Sequence, residues 1–152
     1  MKKLISVMFI LIFAFSLCGC SVVEKFTGGG KTVGAVEVVS GGISFETYEV
    51  KTADYGKKSA VYDYDVDYVK NSLNVTVPYN QDFVIQLEGE RTGNVSYSLY
   101  DENFAPYYEN NSFMTLPSSS GNWICKVSVN WGDENEFSSY DYFFRLTRAE
   151  EN

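Results

Sequence analysis

The amino-acid sequence predicts an all-β domain from residue 33 onward, an antiparallel sandwich of about eight or nine short strands. Three observations predict it. Apolar residues recur with period two. β-branched and aromatic residues, which suit a pleated half-buried surface, are abundant, with 12 Tyr, 11 Phe and 2 Trp in 152 residues. Turn signals recur at intervals of roughly ten residues, and no long run carries the apolar spacing of a helix.

The elements follow in order. Val33 to Val39 is a first, mostly apolar strand, closed by Ser40-Gly41-Gly42. Ile43 to Val50 is the second, and Thr52 to Ser59 reads as a loop. Val61 to Val69 alternates, with Tyr62, Tyr64, Val66 and Tyr68 expected toward the core and Asp63, Asp65 and Asp67 toward solvent. Leu73, Val75 and Val77 mark the next inward face, ended by Pro78, and Phe83, Ile85 and Leu87 another. Gly93-Asn94 turns the chain into Val95, Tyr97 and Leu99. Asp101-Glu102-Asn103 turns it again ahead of strands at Phe104 to Tyr108 and Phe113 to Leu116. After a Ser-rich turn, Trp123, Cys125, Val127, Val129 and Trp131 share one face of a long strand. Past the acidic loop Gly132 to Glu136, Tyr140, Tyr142, Phe144 and Leu146 line the last strand, leaving 149–152 as a tail.

The N-terminus is of another kind. Lys2 and Lys3 precede an apolar run from Leu4 to Leu17. That run is shorter than the about 20 residues a spanning helix needs, but it suits the apolar region of a signal peptide. Leu17-Cys18-Gly19-Cys20 resembles the bacterial lipobox, with an aliphatic residue, a small residue before the cut, and the cysteine whose thiol takes a diacylglycerol. The resemblance implies a lipoprotein signal over 1–19, lipidation at Cys20, and anchoring by two or three acyl chains, enough for stable membrane attachment. Ser21 is not Asp, which in a two-membrane bacterium implies the outer membrane. In a one-membrane bacterium the anchor is the outer face of the cell membrane. Residues 20–32, with Gly28-Gly29-Gly30, read as the lipidated cysteine and a flexible tether, and 33–148 as the folded domain.

A second resemblance lies at the other end. Leu116-Pro117, Gly121-Asn122-Trp123 with alternating Cys125, Val127 and Val129, then Tyr142-Phe143-Phe144-Arg145-Leu146, resemble the closing hairpin of immunoglobulin-like domains. The chain is similar to small immunoglobulin-like lipoproteins of Gram-positive anaerobes. The likeness covers the last 40 or so residues and implies the architecture alone, since the antibody-type cysteine pair is missing.

Composition narrows the chemistry. Loss of 1–19 leaves 133 residues, enough for one core. It leaves ten cations against twenty carboxylates, a net charge of −10, which argues against nucleic acid and anionic lipid as partners. With Cys20 acylated, Cys125 has no cysteine to pair with. The chain has no His, which removes Ser-His-Asp and Cys-His nucleophiles and His-ligated zinc or iron sites. Carboxylate chemistry and oxygen-ligated Ca²⁺ remain open.

Candidate sites are then few. Tyr55, Tyr79, Tyr100, Tyr107 and Tyr108 lie in or beside expected turns, where exposed rings could meet a sugar or a protein. The competing explanation is that Tyr forms strands well and keeps a wet polar tip. Asp63, Asp65 and Asp67 have the start of a calcium-loop spacing. The sixth and twelfth positions, however, are Tyr68 and Asn74 rather than Gly and Glu, so no EF-hand is expected. Asp133, Glu134 and Glu136 read as a solvated loop. Cys125, among large apolar neighbours, is expected to be a buried, inert thiol. No enzyme, cofactor or metal is expected. The expected function is a membrane-anchored extracytoplasmic module that binds a protein or a glycan, or serves structurally. A carbohydrate-binding module using exposed Tyr is the alternative, and a protease inhibitor a further one.

Overall fold

A computed structural model describes residues 34–79 and 82–149. The expected signal, Cys20, the tether and residues 150–152 lie outside the described residues. The described chain is all-β and almost wholly antiparallel, with ten strands and one short helix. The strands are β1 (Ala35–Ser40), β2 (Ile43–Glu46), β3 (Tyr48–Tyr55), β4 (Ala60–Val61), β5 (Thr76–Pro78), β6 (Val84–Glu88), β7 (Ser96–Tyr100), β8 (Pro106–Asn111), β9 (Gly121–Gly132) and β10 (Phe137–Arg148). The helix, α1, spans Val66–Ser72 between β4 and β5.

Two sheets form. The smaller has the order β2-β1-β6, and the larger runs β4-β3-β10-β9-β7-β8. The hairpin of β9 and β10 is the spine of the larger sheet, paired without a break from Phe137↔Gly132 to Arg148↔Gly121. Along its other edge, β10 carries β3 against its first half and β5, in parallel, against Arg145 to Thr147. The period-two pattern read from the sequence is what this spine uses. Trp123, Cys125, Val127, Val129 and Trp131 are all buried, as are Tyr140, Tyr142, Phe144 and Leu146. They pack with Val36 and Val38 of β1 in one core, onto which Phe45, Ile85 and Leu87 of the smaller sheet also close.

Polar groups tie the layers together. The Tyr142 hydroxyl accepts from Trp131 Nε1 at 2.5 Å and donates to the Gly34 carbonyl at 3.2 Å. Ser40 of β1 donates to the Pro78 carbonyl of β5. Among the described residues no buried side-chain nitrogen or oxygen lacks a partner, as a stable interior requires. Gly34 is demanded by close approach, because a Cβ there would lie 2.4 Å from the Glu88 carbonyl and 2.5 Å from the Trp131 ring.

Several expectations need correction. The strand expected over Val61 to Val69 is instead the two-residue β4 followed by α1. Asp65 is the N-cap, its Oδ1 accepting from the amides of Asp67 at 2.8 Å and Tyr68 at 3.3 Å. The helix buries Val69, and Leu73 at its C-cap, four residues apart, while Tyr62, Val66 and Tyr68 are exposed rather than turned to the core. The Asp-aromatic alternation therefore does not mark a strand face. The strand expected over Ile43 to Val50 is two strands, one in each sheet, hinged at Thr47, whose hydroxyl donates to the Val36 carbonyl at 2.7 Å. The loop expected over Thr52 to Ser59 shrinks to a turn, since β3 continues to Tyr55 and pairs with the start of β10. Phe104 to Tyr108 begins its strand later, at Pro106, because the Asp101 carboxylate accepts from the amides of Asn103 and Ala105 and holds a tight turn there. Phe113 to Leu116 forms no strand.

Candidate functional site

The tyrosines picked out from the sequence do not form one site. Tyr55 ends β3 and stacks on Phe137, with ring centroids 4.6 Å apart and planes at 28°. Tyr79 follows β5 and is half-buried, its ring nearly perpendicular to that of Phe83 and its face under the Arg148 guanidinium at 5.0 Å. Tyr100 is 6% exposed, with its hydroxyl donating to Glu109 at 2.7 Å, so its ring is not a surface contact. Tyr107 is the most open of the five, at 72%. No row of coplanar exposed rings, the arrangement that would favour a glycan, appears among them.

Tyr108 has a different role. Its hydroxyl donates to the Thr115 carbonyl at 3.0 Å and accepts from the Thr115 amide at 3.1 Å. This two-way bond staples the segment after β8 back onto that strand. The staple determines where Phe113 and Met114 stand. Burial pushes the Tyr108 phenol above its ordinary pKa, so it stays protonated and able to donate across physiological pH.

The stapled segment forms one wall of an open apolar groove of about 430 Å³. Phe113 and Met114 line it together with Val84 and Ile85 of β6, Tyr97 and Leu116. Phe113 is 66% exposed and Val84 50%, a large apolar outlay for a surface. Tyr97, Ile85, Met114 and Leu116 are partly buried and lean on the main core, so the base of the groove is anchored. Among the described residues β6 is an edge strand, hydrogen-bonded on one side to β1. Beyond its pairing with β1, the groove thus adjoins a strand edge able to accept further main-chain bonds.

Sequence reasoning took Phe113 to Leu116 as a strand and so missed this groove. Its walls are 30 residues apart in sequence, and no local period joins them. Two of the acidic residues picked out earlier are engaged locally. Asp65 caps α1, and Asp133 Oδ1 accepts from the amides of Asn135 and Glu136. Among the described residues no group of three or more His, Cys, Asp or Glu side chains is placed to hold a metal ion. Cys125 is wholly buried, and burial pushes its thiol well above the ordinary range. Compared with known proteins, the chain matches no family model, no curated protein and no solved structure.

Proposed function

We propose that this chain is a lipoprotein held on the outer side of a bacterial membrane by acylated Cys20, and that its β domain is a non-catalytic binding module for a protein segment. The observation that carries the binding part is the groove between β6 and Phe113-Met114. Its lining is aliphatic and aromatic, with Ser112 and the Tyr97 hydroxyl the only polar side-chain groups. Such a surface suits an apolar side chain of an extended peptide, with the β6 edge supplying main-chain bonds. A sugar, which needs stacked rings flanked by many hydrogen-bonding groups, suits it less well. The anchoring part rests on the order of Lys2-Lys3, the apolar run and Leu17-Cys18-Gly19-Cys20.

A photo-crosslinking amino acid at position 113, introduced in the native cell, tests the binding part. Discrete polypeptide adducts, lost when Val84→Asp is added, are expected. Adducts to glycan alone would transfer the reading to the carbohydrate alternative. Fractionation of Cys20→Ala tests the anchor, with uncleaved precursor or release from the membrane expected. Unchanged processing and fractionation would defeat it.

A further inference from the structure

A second concavity lies on the opposite face of the larger sheet. Alternation along β9 and β10 sends Trp123, Phe144 and Leu146 into the core between the sheets and Ile124, Phe143 and Arg145 to the outer face. α1 covers part of that outer face with Val69, and Leu73 at its C-cap packs beside it. Beside the helix a cavity of about 500 Å³ is left, floored by Ile124 and Arg145, which are cross-strand partners. Lys70 from the last turn of α1 and Thr76 from β5 stand on one side. Asn122 and the β7–β8 turn, with Asn103 and Glu102, stand on the other.

The charge of this cavity runs against that of the chain. The sequence has 20 carboxylates and 12 cations, yet the lining holds two cations and one carboxylate. Lys70 and Arg145 are both half-buried, and among the described residues neither is in an ion pair. Arg145 is held in place rather than waving in solvent, because its Nη2 donates to the Lys70 carbonyl at 3.0 Å. That bond uses one of the five N–H groups of the guanidinium, and a carboxylate can accept two others in parallel. The walls add neutral donors and acceptors in the side chains of Thr76, Asn103 and Asn122. A lysine in a helix's last turn is favoured by the helix dipole, which accounts for Lys70 alone. It does not account for Arg145 on a different element, aimed at the same space.

We propose that this cavity is a binding site for a small, singly charged carboxylate on a polar body, of the size of a sugar acid or a dipeptide. Arg145 and Lys70 take the carboxylate, and Thr76, Asn103 and Asn122 bond the hydroxyls or amides of the body. Glu102 keeps the net charge of the lining at plus one, which matches one negative charge better than two. The site is separate from the β6 groove, so it stands whether or not that groove binds a protein.

The test is calorimetric titration of the full-length protein in neutral detergent at low ionic strength. The probes are D-galacturonate, D-galactose, glycylglycine and inorganic phosphate. Saturable binding of galacturonate or glycylglycine is expected, with galactose, which lacks the carboxylate, binding at least tenfold more weakly. Whichever carboxylate binds tells a sugar acid from a peptide source. Lys70→Gln and Arg145→Gln should each weaken that binding about tenfold or more, as expected on losing a charge-assisted bond. Lys70→Gln removes no side-chain bond seen in the fold, so it keeps the test valid if Arg145→Gln unfolds. Absence of saturation by both carboxylates, tighter binding of phosphate, or unchanged affinity in Lys70→Gln would each overturn the proposal.

Discussion

Single residues here act mainly through what burial does to them. The inward alternation of β9 puts Cys125 among apolar neighbours, and desolvation disfavours its thiolate. A bulky maleimide applied to the native protein should therefore leave the Cys125 peptide unlabelled in a mass spectrum, and label it after unfolding in urea. Labelling at equal rates in both states would contradict its burial. Asp54 shows the opposite balance. Burial works to raise its pKa, but hydrogen bonds from Lys51, Ser138 and Tyr62 outweigh that and lower it. Lys51 Nζ lies 2.8 Å from its Oδ1, and both side chains are a third exposed or thereabouts. Solvent screening then limits the pair to about 0.5 kcal/mol or less. A carboxyl whose folded pKa is lowered stabilises the fold fully above its unfolded value. That contribution disappears as pH falls through the lower folded value. Asp54→Asn should thus be slightly less stable than the parent at pH 7, by urea titration, and the difference should shrink and vanish as the pH falls through the lowered folded value.

At the scale of elements, the helix α1 rests on its cap. Asp65→Ala leaves the amides of Asp67 and Tyr68 without their side-chain acceptor and should cost about 1 kcal/mol. The thermal midpoint should fall by roughly 3–5 °C, while Asp63→Ala, on a residue with no capping bond, should leave it unchanged. Equal effects of the two substitutions would remove Asp65 from the cap. The same segment marks where the sequence stops being legible. β9 and β10 could be read from their alternation because each buries one whole face over 12 residues. In 61–73 the aromatic-aspartate alternation has a strand's period, whereas the helix needs only Val69 and Leu73 to face inward. Two apolar positions are too few to define a helical period, and the Asp65 cap competes with a row of similar aspartates. The break at Thr47 was hidden for a related reason. Alternation continues through it while the chain changes sheets, and the partner that fixes the corner, the Val36 carbonyl, is 11 residues away. The groove and the cationic cavity were beyond local reading altogether, as each is assembled from segments joined by the sheets and the turns between them.

For the molecule as a whole, the question is what makes two sheets one cooperative unit. The smaller sheet has three strands, and its register bonds are all internal to it, so strand pairing does not join it to the larger sheet. Its attachment runs through the shared core, the bond from Ser40 to the Pro78 carbonyl, and the chain of bonds from Trp131 to Tyr142 to the Gly34 carbonyl. Tyr142→Phe keeps the ring but leaves the Trp131 N–H and the Gly34 carbonyl without that partner. In a buried setting this should cost about 1–3 kcal/mol. Gly34→Ala drives a methyl into the Glu88 carbonyl and the Trp131 ring and should cost at least as much, because backbone has to move. Both tryptophans of the chain lie on β9 and pack in this core. Their fluorescence therefore reports the closing of the layers, while far-ultraviolet circular dichroism reports the strands. In the parent protein the two signals should trace a single urea transition with one midpoint. Tyr142→Phe and Gly34→Ala should shift both midpoints together to lower urea. If fluorescence moves while the dichroism transition stays where it was, the layers unfold separately, and the bonds at Tyr142 hold a local contact rather than the whole domain.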